Sequence, residues 1–254
     1  VQHLEHNNED AIIIDRVIVS KIEEQSLSFA QERLWFIEQY EQGTNAYNVP
    51  MVFKLSSNIR LDILEISIRS IVTRHEVLRT LIKENNEGNG YQLVLNDREY
   101  LLNITKVKVA DQIQLEQELS EAVNYIYDLS NEYPIIVRLY ELINTSVNDS
   151  EYYLSIVIHH IAFDGWSIDI FLRELNECYS YYLKQSQGLE AKLNLPELSI
   201  QYKDFALWQR NYLSGEILDN QLDYWKKRLS GYETLNLITD KPRPSQIDYK
   251  GTNI

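Results

Sequence analysis

The pattern of apolar residues in this chain switches repeatedly between a two-residue period and a helical one, and that alternation leaves few architectures open. Ser28 followed by Gln31 is a capping-box pattern, after which Ala30, Leu34 and Ile37 recur at helical spacing until Gly43. Val49, Met51, Phe53 and Leu55 then alternate as a half-buried strand does. Leu64, Ile68, Ile71 and Val72 return to the helical period, up to about Arg74. Leu78, Thr80 and Ile82, the Asn/Gly-rich stretch Asn85 to Gly90, and Tyr91, Leu93 and Leu95 have the form of a hairpin. A strand from about Leu101 to Val109 precedes a helix with Leu115, Leu119, Ala122, Val123 and Ile126 on one face. Strands at about Ile135 to Leu142 and Tyr152 to His159 follow, joined by the polar turn Asn144 to Ser150. The stripe Ile168, Phe171, Leu172, Leu175, Tyr179 and Tyr182 marks a long helix from Ser167, with Pro196 in the loop behind it. Tyr202, Phe205 and Ala206, then Leu218, Leu222, Trp225 and Leu229, predict two closing helices. The expected architecture is mixed α/β, a sheet covered by helices, without internal repeats.

The charge balance removes several function classes. Thirty-eight Asp and Glu against 24 Lys and Arg give a net charge of -14, which supplies neither a nucleic-acid-binding face nor a polybasic membrane patch. One cysteine, Cys178, excludes an internal disulfide framework and any multi-cysteine metal site and suits a reducing compartment, so the chain reads as cytoplasmic. No apolar run spans a bilayer, and the first 20 residues lack the basic start and apolar stretch of a signal peptide. Residues 1–25, with the β-branched runs Ile12-Ile13-Ile14 and Val17-Ile18-Val19, read as a linker or a short edge strand. Asp240 to Ser245 reads as a loop leaving a finished domain, which makes the chain look like a piece of a larger protein.

The sharpest chemical feature is His159-His160-Ile161-Ala162-Phe163-Asp164-Gly165-Trp166-Ser167, at the corner between a buried strand and a capped helix. Adjacent strand residues face opposite ways, so the two histidines do not act on one atom. An imidazole titrates near neutral pH and can take a proton from an attacking nucleophile, while a nearby carboxylate fixes its tautomer or holds the loop. Gly165 permits a tight turn or a close backbone approach. The plain alternative is two satisfied histidines at a strand end, with Asp164 as a cap and Gly165 as a turn. A metal site at His159, His160 and Asp164 is opposed by the divergent directions and by the lack of a further His or Cys nearby. A serine hydrolase triad is opposed by the absence of Gly-x-Ser-x-Gly.

At this nonapeptide the chain resembles the condensation domains of nonribosomal peptide synthetases, whose signature is His-His-x-x-x-Asp-Gly with Trp-Ser commonly following. Three further segments extend the resemblance: Ser28 to Phe36 (SFAQERLWF) looks like the family's first motif, Arg74 to Thr80 (RHEVLRT) its second, and Tyr202 to Gln209 (YKDFALWQ) its fourth. The resemblance implies a lobe like chloramphenicol acetyltransferase over residues 26–239, the N-terminal half of a V-shaped two-lobe domain, with 240–254 opening a crossover to the other lobe. It implies peptide-bond formation between aminoacyl or peptidyl thioesters carried on the phosphopantetheine arms of donor and acceptor carrier domains, beside an adenylation domain, with no intrinsically bound cofactor, metal, nucleic acid or membrane. His160 matches the catalytic histidine, as general base or as the group that positions the amine and stabilises the tetrahedral intermediate. His159 matches the structural first histidine. Asp164 matches a structural aspartate paired with an arginine of the second motif, here Arg74 in preference to Arg79. Gly165 matches a residue whose N–H approaches the thioester oxygen, and Trp35, Trp166 and Trp208 read as packing residues. Residues 32–50 resemble those of domains that accept a D-configured donor. His159 argues against the heterocyclisation relatives, which carry Asp there. Epimerisation, and a non-catalytic carrier-docking lobe, stay open as alternatives.

Overall fold

A computed structural model describes residues 14–16, 24–41, 44–96, 101–144 and 149–235, with 238, 240 and 242. The elements are β1 (Gln25–Ser26), α1 (Phe29–Glu41), β2 (Asn48–Lys54), α2 (Leu61–Arg74), β3 (Thr80–Glu84), β4 (Gly90–Val94), β5 (Ile104–Val109), α3 (Gln112–Val123), β6 (Ile135–Asn144), β7 (Asp149–His159), α4 (Gly165–Ser186), α5 (Tyr202–Tyr212) and α6 (Gly215–Arg228). A short 3₁₀ turn, Glu76–Arg79, joins α2 to β3. The runs Ile12-Ile13 and Val17 to Val19, Gly43, most of the turn after Asn144 and most of the stretch 240–254 lie outside the described residues. The chain divides into two compact units, Val1–Arg210 and Asn211–Ile254.

Where the hydrophobic pattern predicts one sheet, the strands form two, β1-β4-β3 and β2-β7-β6-β5. Periodicity identifies strands but not their partners, which are chosen by tertiary packing. In the larger sheet β7 is antiparallel to both β2 and β6, while β5 runs parallel to β6 through the α3 crossover. Its central strand carries Ile156, Val157 and Ile158, all fully buried, because both faces of the sheet are covered. Leu154, Ile156 and Ile158 pack with Ile68 and Ile71 of α2 and Phe171 and Leu175 of α4. On the opposite face Val157 meets Ala122, Tyr127, Leu27 and Ile82, and further along the sheet Tyr140 packs on Leu115 and Val109.

Two predicted core positions are corrected. Ala30 is exposed, because the inner face of α1 is formed by Gln31, Leu34, Trp35 and Glu38, one residue round from the expected stripe. Ile126 is 57% exposed, because α3 ends at Val123 and its periodicity does not carry into the following loop. The outer face of α1 leaves Phe36 and Tyr40 exposed and stacked on each other, with ring centroids 6.4 Å apart.

Gly90 fixes how closely α1 approaches the hairpin. A Cβ there would lie 2.8 Å from Leu27 Cδ1 and 2.9 Å from Trp35 Cδ2, inside van der Waals contact with two packed side chains. Gly90→Ala is expected to lower the unfolding free energy by about 1–3 kcal/mol, as overpacking does. Urea unfolding checks this; an unchanged midpoint would mean that Trp35 does not seat against the hairpin.

Candidate active site

The two histidines leave the end of β7 in different directions. His159 is fully buried on the Val157 face of the sheet, edge-on to Tyr127 with centroids 5.7 Å apart. Its Nδ1 accepts the Ile161 N–H at 3.1 Å, and its Nε2 lies 3.1 Å from Glu38 Oε1. A nitrogen that accepts an amide N–H carries no proton, so this network assigns the Nε2–H tautomer, with Nε2 donating to Glu38. His160 is exposed. Its backbone N–H donates to Tyr47 O at 2.8 Å, continuing the β2–β7 ladder, and its imidazole has no hydrogen-bond or ion-pair partner among the described residues.

Asp164 is the N-cap of α4. Its Oδ1 accepts the Ser167 N–H at 2.9 Å and the Ser167 hydroxyl at 2.7 Å, while Ser167 Oγ accepts the Asp164 N–H at 3.4 Å, a complete capping box. The expected ion pair with Arg74 is not formed. Arg74 instead lies 3.1 Å from Glu174 and donates to Pro196 O at 2.5 Å, and His75 Nε2 is 2.7 Å from the same Glu174 oxygen. Arg79 is 3.8 Å from Glu76 and donates to the Leu95 carbonyl. The reason is helical geometry: Asp164 stands at the exposed start of α4 with its Oδ1 engaged locally, whereas Glu174 sits on the buried face that packs on α2. Trp166 is also corrected. It is 88% exposed at the first turn of α4 and packs into no core, unlike the partly buried Trp35 and Trp208. Gly165 needs no glycine for space or conformation, since nothing lies within 4 Å of an added Cβ and its φ is outside the left-handed region.

The segments flagged in the sequence are wired to one another. Ser28 and Gln31 form the predicted reciprocal cap of α1, each bond 3.1 Å. Gln31 Nε2 also donates to Gln92 at 3.3 Å and reaches Ile161 O at 3.5 Å. Ser28 Oγ is 3.0 Å from the Tyr202 hydroxyl, and the Phe29 N–H donates to Gln209 Oε1 at 3.0 Å. Gln201 donates to Arg74 O at 3.0 Å and accepts the Glu76 N–H at 3.1 Å. These bonds hold α1, the end of α2 and α5 around the His159–Ser167 corner.

Other reactive groups are muted. Cys178 is 1% exposed and burial pushes its thiol up to about 11, so it is no nucleophile. Burial also raises the Tyr127 hydroxyl, which donates to Val157 O at 2.6 Å. A recess of about 130 Å³ lined by His75, Val77, Ala162, Phe163 and Ile170 opens beside the loop, and His160 does not line it. Among the described residues no group of three His, Cys, Asp or Glu is placed to hold a metal, and no helix is long and apolar enough to cross a membrane.

Sequence reasoning missed Glu38 and Glu174. Each had a signal: Gln31, Leu34, Trp35 and Glu38 share helical spacing, as do Phe171, Glu174, Leu175 and Cys178. An acid on a buried stripe requires a partner.

The fold is shared with solved domains of peptide-assembly enzymes. The X-domain from teicoplanin biosynthesis matches with a TM-score of 0.74 at 23% identity, covering 92% of this chain and 49% of that one. The epimerization domain from the third module of tyrocidine synthetase B matches with a TM-score of 0.69 at 20% identity, over 89% of this chain and 50% of that one. In sequence, N-(5-amino-5-carboxypentanoyl)-L-cysteinyl-D-valine synthase of Penicillium rubens is 36% identical over 233 residues, 90% of this chain and 6% of that protein. A linear gramicidin synthase of Brevibacillus parabrevis is 35% identical over 246 residues, 95% of this chain and 5% of that protein. The condensation-domain profile matches residues 21–254, and the chain belongs to the condensation-domain family of the nonribosomal peptide synthetases. It spans about half the length of the solved domains and a small fraction of the curated synthetases.

The two carboxylates should separate on mutation. Glu174→Ala strands the mostly buried Arg74 and is expected to cost roughly 3–5 kcal/mol, whereas Asp164→Ala removes a cap and costs about 1 kcal/mol. Denaturant unfolding of both variants decides; equal losses would mean that the Arg74–Glu174 pair contributes no more than a helix cap.

Proposed function

We propose that this chain is the N-terminal lobe of a condensation domain and joins two carrier-tethered thioesters through an amide bond, in the cytoplasm, within a synthetase that makes a peptide natural product. The observation that carries this reading is the contrast at the end of β7: His159 is locked by hydrogen bonds, while the neighbouring His160 presents to solvent an imidazole without a partner among the described residues. The donor acyl group and the acceptor aminoacyl group arrive on the phosphopantetheine arms of carrier domains loaded by adenylation domains. The acceptor amine attacks the donor carbonyl, forming the C–N bond. The C–S bond then breaks, and the proton lost from nitrogen ends on the departing thiol.

His160 takes that proton, or holds the amine and the charged intermediate, at the point of attack. A thioester is already activated, so holding two tethered reactants together supplies most of the acceleration, and proton transfer adds roughly 10²–10⁴-fold. Gly165 and Trp166 are exposed at the start of α4, which leaves them open to substrate arms. The opening amides of a helix are free donors, which suits a Gly165 N–H directed at the thioester oxygen. Asp164 then acts by setting where that helix begins, and Arg74 by fixing α2 to α4 through Glu174.

The test uses this chain alone and joined to its natural C-terminal continuation, with both carriers loaded. Mass spectrometry of carrier-bound product should show dipeptide only from the longer protein. His160→Ala in that protein should remove at least ~99% of turnover, the loss of a ~10²-fold proton-transfer contribution, and leave carrier binding within about twofold. Dipeptide at the native rate from His160→Ala would end the proton-transfer role, and a product of inverted configuration without a new amide would favour epimerisation.

A further inference from the structure

Glu38 is a carboxylate buried within α1, 9% exposed, with its Oε1 3.1 Å from a fully buried imidazole. Burial of that kind is costly unless the group is satisfied and does work for the fold or the site. We propose that Glu38 is a positioning residue for the condensation reaction: by accepting the His159 Nε2–H it dictates the tautomer that lets Nδ1 receive the Ile161 N–H, and so clamps the turn that presents His160. This rests on the reading of His160 given above.

The chain of cause is short. A neutral imidazole has one donor and one acceptor, and the two tautomers exchange them. Glu38 has only acceptors to offer when ionised, so the proton sits on Nε2 and the lone pair on Nδ1. Nδ1 then accepts from the backbone two residues on, closing a loop around His160. The opposite tautomer sets an Nδ1–H against the Ile161 N–H, two donors face to face, and takes from the turn its tie to the imidazole, leaving the Ala162 N–H to His159 O bond at 3.0 Å. Other contacts of His159 do not enforce the choice. Its backbone N–H is taken by Pro134 O at 2.9 Å, and Tyr47 and Tyr127 offer ring faces and edges. The other end of the clamped turn is also tied to α1, through Gln31 at Ile161 O. One helix thus grips both sides of the residue that carries the chemistry, and a shift of about 1 Å at a reacting group costs on the order of a hundredfold in rate.

The experiment uses the two-lobed domain with loaded carriers. Glu38→Leu keeps the volume and removes the acceptor, while Glu38→Gln keeps an oxygen that accepts the Nε2–H. Glu38→Leu should lower kcat roughly ten- to a hundredfold with carrier KM within about twofold, and long-range ¹H–¹⁵N NMR should show His159 leaving the Nε2–H form. Glu38→Gln should hold kcat within about threefold and retain that tautomer. In a His159→Asn background, Glu38→Leu should cost less than about twofold, because a residue acting through His159 has nothing left to act on. Should Glu38→Leu not fold, Glu38→Met is read in its place. An Nε2–H signal that persists without the acceptor, or kcat within about twofold of the parent, overturns the proposal. Because the tautomer is read by NMR without turnover, it stands or falls separately from the assignment of His160.

Discussion

Everything at the candidate site depends on the burial of β7 on both faces and its pairing on both edges. A strand with Ile156, Val157 and Ile158 sealed between α2 and α4 on one side and the α3 and hairpin layer on the other cannot slide, because a one-residue slip would turn every side chain to the wrong face. The strand's last residue, His159, and His160 just beyond it inherit that certainty. His159 points where Val157 points, into the protein, and His160 emerges where the ladder to β2 ends at Tyr47. Direction is therefore supplied by the sheet, and only the local turn remains to be set by polar contacts.

Those contacts centre on two buried acids, one on each helical layer. Glu38 answers His159 from α1, and Glu174 answers Arg74 and His75 from α4. Neither carboxylate could survive in an apolar interior without a partner, and in each case the partner lies at or beside a segment that forms the corner. Charge burial here secures geometry: it ties helices that pack through apolar stripes, and could otherwise rotate or shift, to defined points along the sheet.

How much of this was readable in the sequence follows from the range of each interaction. The starts of α1 and α4, the alternation of His159 and His160 and the capping box at Ser28 and Gln31 are local, encoded within a few residues, and were legible. Strand partners were not, so two sheets stand where one was expected. The Asp164–Arg74 pair failed for a related reason: sequence shows which residues carry charge, but Ser167 claims Asp164 three residues away while Glu174 is brought to Arg74 only by helix packing. Trp166 misled because aromatic bulk predicts burial, and at the first turn of α4 none of the described residues covers it.

The register of the large sheet also bears on how the corner comes into being. β2 and β7 pair Asn48 with His159, partners far apart along the chain, so the ladder that ends at the two histidines closes a very long loop. Such closure is entropically costly and comes late, after local helices and the β3–β4 hairpin can already form. During synthesis the corner cannot assemble until β7 has emerged. The histidine corner thus waits on the pairing of the larger sheet whose partners lie furthest apart along the chain.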